Sequence, residues 1–161
     1  MRRVIIATLI STAALGVPSV TAAAPRVRTA TADGSGSVMT VGGGLEDFGG
    51  LQLAAPMRRS ATTSWSYGAN TTFAAGTGCT TSAGTCYSAT GSLTLSDGTS
   101  SVTATITGTD DATATFAWTA TVTGGTGAWR RARGTIRVTG SRDWVNDQRT
   151  VSTWDLSALN L

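Results

Sequence analysis

The stretch ATFAWTATVTGGTGAWRRARGTIRVTG, residues 114–140, contains two alternating segments joined by a glycine-rich turn. Apolar residues take every second position in the first segment, and Ile136 and Val138 flank Arg137 in the second. Successive side chains of a β-strand point to opposite faces, so this period of two predicts two strands, each with one apolar face. Because a strand rather than a helix follows the glycines, and no lysine is present, the turn is not a phosphate-binding loop.

The same period of two continues on both sides of this stretch, and β-branched residues dominate the segments. The predicted apolar faces carry Trp65, Tyr67, Leu93, Leu95, Val102, Ala104, Ile106, Phe116, Trp118, Ala120, Val122, Ile136, Val138, Trp154 and Leu156. The Asp97–Gly98 pair predicts a tight hairpin between two of these strands. Six to eight short antiparallel strands indicate an all-β domain, either a closed barrel or a β-sandwich. The threonine-rich opposite faces are either solvated or line a polar cavity.

The N-terminal region predicts an exported protein. Residues 1–23 combine a basic start, an apolar run and small residues, which is the pattern of a secretory signal peptide. The apolar run is shorter than the ~20 residues that span a bilayer, so we expect a secreted protein with no membrane segment after cleavage. Residues 24–44 are rich in Gly, Ser, Thr and Ala and predict a flexible arm, which leaves residues 45–161 as one β-domain. The lack of lysine is typical of a bacterium with a GC-rich genome.

Composition removes several classes of function. The chain has no histidine, so Ser-His-Asp catalysis is excluded, and its two cysteines alone do not complete a zinc site. We expect no metal and no cofactor. Removal of Arg2 and Arg3 with the signal peptide lowers the net charge from +3 to +1, which gives no basic field for nucleic acid. In an exported protein, Cys79 and Cys86 are predicted to form a local disulfide.

The few carboxylates offer little visible catalytic pattern. Asp110 is assigned to a turn, and Asp47 adjoins a glycine run with no strand to position it. Asp155 lies in a predicted strand and faces away from Trp154 and Leu156. If those two residues pack in the core, Asp155 faces solvent. If they pack outside a barrel, Asp155 points inward with a raised pKa and becomes a candidate for acid–base catalysis.

The segment VTGGTGAWRRARGTIRV, residues 122–138, resembles the glycine-rich signature of plant dirigent proteins. The matching positions are Gly124, Gly125, Thr126, Gly127, Trp129, Ala132, Arg133 and Gly134. The segment is also similar to the looser turn of allene oxide cyclases, and the likeness covers roughly residues 88–161. The resemblance implies an antiparallel, eight-stranded, calycin-like barrel that assembles as a homotrimer. It also implies a central cavity that steers a reactive intermediate without a cofactor.

These observations together predict a secreted barrel that binds a small hydrophobic ligand, and they leave open whether it catalyses a cyclisation. The resemblance makes Arg133 a candidate ligand-binding or catalytic residue. Trp129 is a candidate for stacking on a flat ligand, as is Trp144. The alternative is a secreted all-β module without catalysis that binds carbohydrate or has a structural role.

Overall fold

The computed structural model describes residues 28–39, 44–60, 62–81, 84–111, 115–142 and 149–161. These residues form nine β-strands and one short 3-10 turn at Gly127–Trp129. The strands are β1 Thr29–Met39, β2 Gly44–Leu53, β3 Ser64–Thr81, β4 Gly84–Ser96, β5 Ser101–Asp111, β6 Thr115–Gly125, β7 Arg133–Arg142, β8 Arg149–Asp155 and β9 Leu159–Asn160.

The first eight strands form a closed ring. Each strand pairs antiparallel with the next in sequence, and β1 pairs with β8 to complete the circle. The short strand β9 pairs with the start of β7 and lies outside the ring. The predicted eight-stranded antiparallel barrel is therefore confirmed, and the β-sandwich alternative is excluded. Ring closure leaves no unpaired edge among the eight strands.

The predicted flexible arm at 24–44 is wrong for residues 29–39, because β1 is an integral strand of the barrel. It pairs with β2 on one side and with β8 on the other. Its inward positions are the small residues Ala30, Ala32 and Gly34, which carry little hydrophobic signal although Ala30 and Ala32 are buried. The barrel domain accordingly begins near Thr29 rather than at residue 45.

The predicted inward faces of β3 to β8 are confirmed. The buried core contains Trp65, Tyr67, Leu93, Leu95, Val102, Ala104, Ile106, Phe116, Trp118, Ala120, Ile136, Val138, Trp154 and Leu156, and Val122 is partly buried against it. Burying a large apolar side chain contributes about 1.5–3 kcal/mol, so this set supplies the main driving force for folding. Thr103, Thr105 and Thr107 are exposed, so the threonine row of β5 is a solvated outer face.

The two ends of the barrel differ. One end, here called the closed end, carries the β2–β3, β4–β5 and β6–β7 connections and the residues after β8. The other end, here called the polar end, leads to residues 40–43, 82–83, 112–114 and 143–148, which lie outside the described residues.

Trp129 fills the interior at the closed end. Its side chain is fully buried, its indole N–H donates to the Arg59 carbonyl at 3.0 Å, and its ring centroid lies 4.7 Å from that of Trp65. Gly127 has φ of 56°, a conformation that favours glycine, and it allows the chain to turn towards the barrel axis. Arg130 and Arg131 are exposed. The glycine-rich motif is thus a rim turn that buries a tryptophan.

Three expectations concern residues or side chains that lie outside this description. The signal peptide at 1–23 is one, and the side chains of Cys79 and Cys86 are another, although Thr80 pairs with Thr85 in the same hairpin. The disulfide therefore stays a prediction. The third is Trp144. Within the described ranges, no helix has the length and apolar character needed to cross a membrane.

Candidate functional site

A group of polar side chains is buried inside the barrel towards the polar end. We call Asp47, Tyr67, Asp110, Arg142 and Thr150 the polar cluster; all five are buried. They come from five different strands, β2, β3, β5, β7 and β8, and point inward. Buried polar residues are far more informative than exposed apolar ones, because removing a charge from water costs free energy unless it is paired.

Asp110 and Arg142 form a buried ion pair. The Arg142 Nη1 atom donates to Asp110 Oδ2, and both side chains are almost fully inaccessible. The guanidinium carbon of Arg142 also lies 4.2 Å from the ring centroid of Phe116 and 4.9 Å from that of Trp118. These aromatic faces favour the cation and hold the planar guanidinium in one orientation. The arrangement places a fixed guanidinium, paired with a carboxylate, inside the barrel.

Asp47 is a buried carboxyl in the same cluster. The Tyr67 hydroxyl donates to Asp47 Oδ1 at 3.0 Å. Burial raises the pKa of Asp47 above its ordinary value of 3.8, against the smaller opposing effects of the Tyr67 hydrogen bond, the Arg142 charge and a Thr150 hydrogen bond. Burial disfavours the charged carboxylate, so the protonated acid persists to a higher pH than in an exposed aspartate. Asp47 is therefore the candidate proton donor of the cluster.

Small residues on neighbouring strands make room for these side chains. Gly34 on β1 faces the Tyr67 hydroxyl, and a Cβ atom at this position would overlap that oxygen. The glycine thus lets the tyrosine reach across to Asp47. The rings of Tyr67 and Trp154 lie 5.0 Å apart between centroids, which packs the tyrosine from the other side. Strand register and one missing side chain together set the Tyr67–Asp47 hydrogen bond.

None of the predicted site residues belongs to the polar cluster. Asp155 takes the outward of its two predicted orientations, because Trp154 and Leu156 are buried in the core. Its Oδ1 accepts from the Ser157 N–H at 2.9 Å, and hydrogen bonds from Ser157 lower the pKa of Asp155. The inward alternative, with a raised pKa, does not occur.

The two predicted ligand-binding residues also lie elsewhere. Arg133 begins β7 at the closed end, and its side chain is exposed. Trp129 is fully buried against Trp65, so it presents no surface on which a ligand could stack. Neither Arg133 nor Trp129 contributes to the polar cluster.

The charged residues of the polar cluster were not recognised as interior residues from the sequence. Asp110 was assigned to a turn, yet it lies in β5 and keeps the inward parity of Val102, Ala104 and Ile106. Arg142 continues the inward parity of β7 in the same way. Asp47 lies in β2, which has no clear sequence period. The sequence did contain one signal. Each of these charged residues lies an even number of positions from a buried residue of its own strand, so it falls on the inward face.

The cluster is suited to holding a polar group of a ligand by hydrogen bonding and to donating a proton. In the part of the chain that the structure describes, no three His, Cys, Asp or Glu side chains come together as metal ligands. Comparisons with protein-family models, curated proteins and solved structures give no match for this chain.

Proposed function

We propose that this protein is a secreted bacterial barrel that binds a small, mainly apolar molecule inside the barrel, against the polar cluster and without a cofactor. One observation carries the proposal. A carboxyl whose burial raises its pKa, Asp47, lies in the same cluster as the buried ion pair Asp110–Arg142. The rest of the described interior is largely apolar. Ligand sites commonly combine an apolar lining with a few convergent polar groups of perturbed pKa.

Stability alone is a weak reason for such a cluster. Desolvating two charges costs several kcal/mol per ion, and well-packed apolar residues often serve equally well or better. The Trp118 indole N–H is buried and has no hydrogen-bond acceptor among the described residues. Since buried donors are nearly always satisfied, an oxygen atom of a ligand is a suitable partner for it. The apolar interior and the unsatisfied Trp118 N–H together favour a ligand that is mainly apolar and carries an oxygen acceptor.

Asp47 could also allow this site to act as an acid catalyst. In its protonated form it can donate a hydrogen bond, or a proton, to a ligand oxygen, while Arg142 stabilises negative charge that develops nearby. That combination suits a cofactor-independent cyclisation or isomerisation, in line with the likeness of residues 122–138 to dirigent proteins and allene oxide cyclases. Binding is the core of the proposal, and proton donation is its extension.

Two neutral ligands of almost the same shape test the binding proposal. Acetylnaphthalene carries a carbonyl oxygen where isopropenylnaphthalene carries a methylene group. We expect the protein without residues 1–23 to bind both, with quenching of tryptophan fluorescence. The ketone should bind about fivefold more tightly at acidic pH, because one added hydrogen bond contributes about 1 kcal/mol. This preference should fall as pH rises through the raised pKa of Asp47.

Two variants separate the expected effect from a general one. Asp47→Asn keeps the shape of the side chain but removes its ionisation, so the ketone preference should no longer change with pH. Asp155→Asn alters a carboxyl on the outer face and should leave the wild-type pH dependence intact. Failure of both ligands to bind would contradict the proposal. Equal affinity for the two ligands at every pH would remove Asp47 from it.

The remaining parts of the proposal have direct tests. Light scattering of the mature protein should give the mass of a trimer if the implied assembly is correct. Mass spectrometry of protein recovered from a bacterial culture medium should show a new N-terminus at residue 23 or 24. A carbohydrate-binding module remains the alternative, but Trp129, one of the tryptophans proposed for it, is buried. Retarded migration in polysaccharide gels would support that alternative.

A further inference from the structure

A cleft lies outside the barrel at the closed end. Its volume is about 530 Å³, within the range of small-molecule sites. We call it the closed-end cleft. It lies between the start of β1, the segment that follows β2, and the residue that follows β8; the lining residues used here are Arg28, Leu53, Pro56, Met57, Arg58 and Leu156. None of them belongs to the polar cluster.

The walls of the closed-end cleft are held by backbone hydrogen bonds. The Ala54 N–H donates to the Thr29 carbonyl at 3.2 Å, and the Leu156 N–H donates to the Arg28 carbonyl at 2.8 Å. These bonds tie all three segments together. A site whose walls are already fixed loses little conformational entropy when a ligand binds.

The floor of the cleft is apolar, and two arginines in its lining make the cleft positively charged. Leu53, Met57 and Leu156 are buried members of the hydrophobic core. Arg58 is exposed and Arg28 is half-buried, and no acidic residue lines the cleft. Among the described residues neither guanidinium forms an ion pair; Arg28 Nη1 donates only to the Leu159 carbonyl, at 3.5 Å. Two arginines beside an apolar floor match a ligand with an anionic group and an apolar body.

We propose that the closed-end cleft binds a small amphipathic anion, a molecule with one carboxylate or sulfonate group and an apolar body. Arg28 and Arg58 hold the anionic group, since a guanidinium offers several donors that match such oxygens. The apolar body lies against Leu53, Met57 and Pro56. The groove between Thr31 and Gln52, about 220 Å³, shares Leu53 with the cleft and gives a longer chain room to extend. This site is independent of the function proposed for the barrel interior.

A matched pair of fluorescent probes tests the proposal on the mature protein. Anilinonaphthalene sulfonate is an amphipathic anion, and N-phenyl-naphthylamine has the same ring system without the sulfonate. We expect the sulfonate to bind more tightly than the neutral probe. Arg58→Gln should weaken sulfonate binding about tenfold, as expected for loss of a charge-assisted hydrogen bond, and leave the neutral probe unchanged. Arg28→Gln should act in the same direction.

Arg131→Gln is the control, because it removes the same charge from an exposed arginine that does not line the cleft. It should change sulfonate affinity by less than about twofold. Near-ultraviolet circular dichroism confirms that each variant is folded. Decanoate should displace the sulfonate probe at a concentration at least about tenfold lower than decanol, since only decanoate carries the charge.

Three results would overturn the proposal. One is no binding of the sulfonate to the wild-type protein. Another is equal binding of the charged and neutral probes. The third is sulfonate affinity that Arg28→Gln and Arg58→Gln leave unchanged, which would place the probe elsewhere. Each of these results leaves the acetylnaphthalene experiment untouched, because that experiment reads out Asp47 at the other end of the barrel.

Discussion

The two ends of this barrel have the same strand alternation but different interiors. At the closed end, the inward-facing Trp65 of β3 packs on Trp129 of the glycine-rich turn, and both are out of contact with water. At the polar end, the same parity leads to Asp47, Asp110 and Arg142. Alternation therefore determines which side chains point inward, whereas residue identity determines whether an interior position contributes to packing or to chemistry. The first three predictions separate these two roles through the free energy of unfolding.

The largest expected effect is at the closed end. Trp129→Ala should lower the free energy of unfolding by about 4 kcal/mol, because it opens a large cavity beside Trp65 and removes the donor to the Arg59 carbonyl. Urea denaturation measures this change. Arg131→Ala, two residues away and exposed, should change it by less than about 0.5 kcal/mol. A loss below about 1 kcal/mol for Trp129→Ala would show that the closed end is not a packed core.

The polar end should respond differently to single and double changes. Arg142→Met leaves Asp110 buried without its cation and should cost about 3 kcal/mol. The double variant Arg142→Met/Asp110→Leu removes both charges and should return to within about 1 kcal/mol of the wild type. The same denaturation experiment measures both. If the double variant is as unstable as the single one, the ion pair is part of the stabilising core and the contrast between the ends is wrong.

A smaller effect is expected in the glycine-rich turn between β6 and β7. Gly127→Ala should cost about 2 kcal/mol, because φ is 56° and the new Cβ would lie 2.6 Å from Ser100 Oγ. Gly68→Ala is the matched control: a Cβ there meets no atom within 4 Å, so its cost should be small. Equal costs for the two variants would contradict the role given to Gly127.

The smallest effect is a pH dependence of opposite sign in two aspartates. Burial raises the pKa of Asp47, so its contribution to stability is greatest below the ordinary pKa of 3.8 and declines as pH rises through the folded-state pKa. Hydrogen bonds from Ser157 lower the pKa of Asp155, so its contribution is present above 3.8 and is lost as pH falls through the folded-state pKa.

Unfolding of Asp47→Asn and Asp155→Asn across the acidic range measures these contributions against the wild type. As pH rises, the free energy of unfolding of the wild type should fall relative to that of Asp47→Asn. Relative to that of Asp155→Asn, it should rise. The same sign for both variants would mean that Asp47 is not a buried acid.

The fold was largely predictable from the sequence, because β3 to β8 carry clear apolar alternation and the Asp97–Gly98 turn. The first two strands were not, since β1 turns Ala30, Ala32 and Gly34 inward and small residues give almost no periodic signal. The glycine-rich turn was predicted between two strands, but nothing in the sequence showed that the Trp129 ring would pack on Trp65, which lies on a distant strand.

The candidate site was missed for a related reason. Asp110 stands next to Asp111 near the end of an alternating segment, where a turn is the common explanation. Its partner Arg142 lies 32 residues away on β7, and the pairing of β5 and β7 with β6 brings the two together. The raised pKa of Asp47 results from its burial, against the opposing effect of the Tyr67 hydrogen bond, and only the structure reveals that burial. Parity along β5 and β7 was the one available clue, because Asp110 and Arg142 both fall on the inward series.

The most direct test of the account is a carbon-13 NMR titration of the Asp47 carboxyl, with Asp47→Asn to assign its signal. We predict that the pKa of Asp47 lies above 3.8 and that of Asp155 below it. Bound acetylnaphthalene should raise the pKa of Asp47 further, because the protonated acid donates to the ketone. An Asp47 pKa at or below 3.8, unchanged by the ketone, would contradict the claim that the polar end holds a buried acid for a ligand.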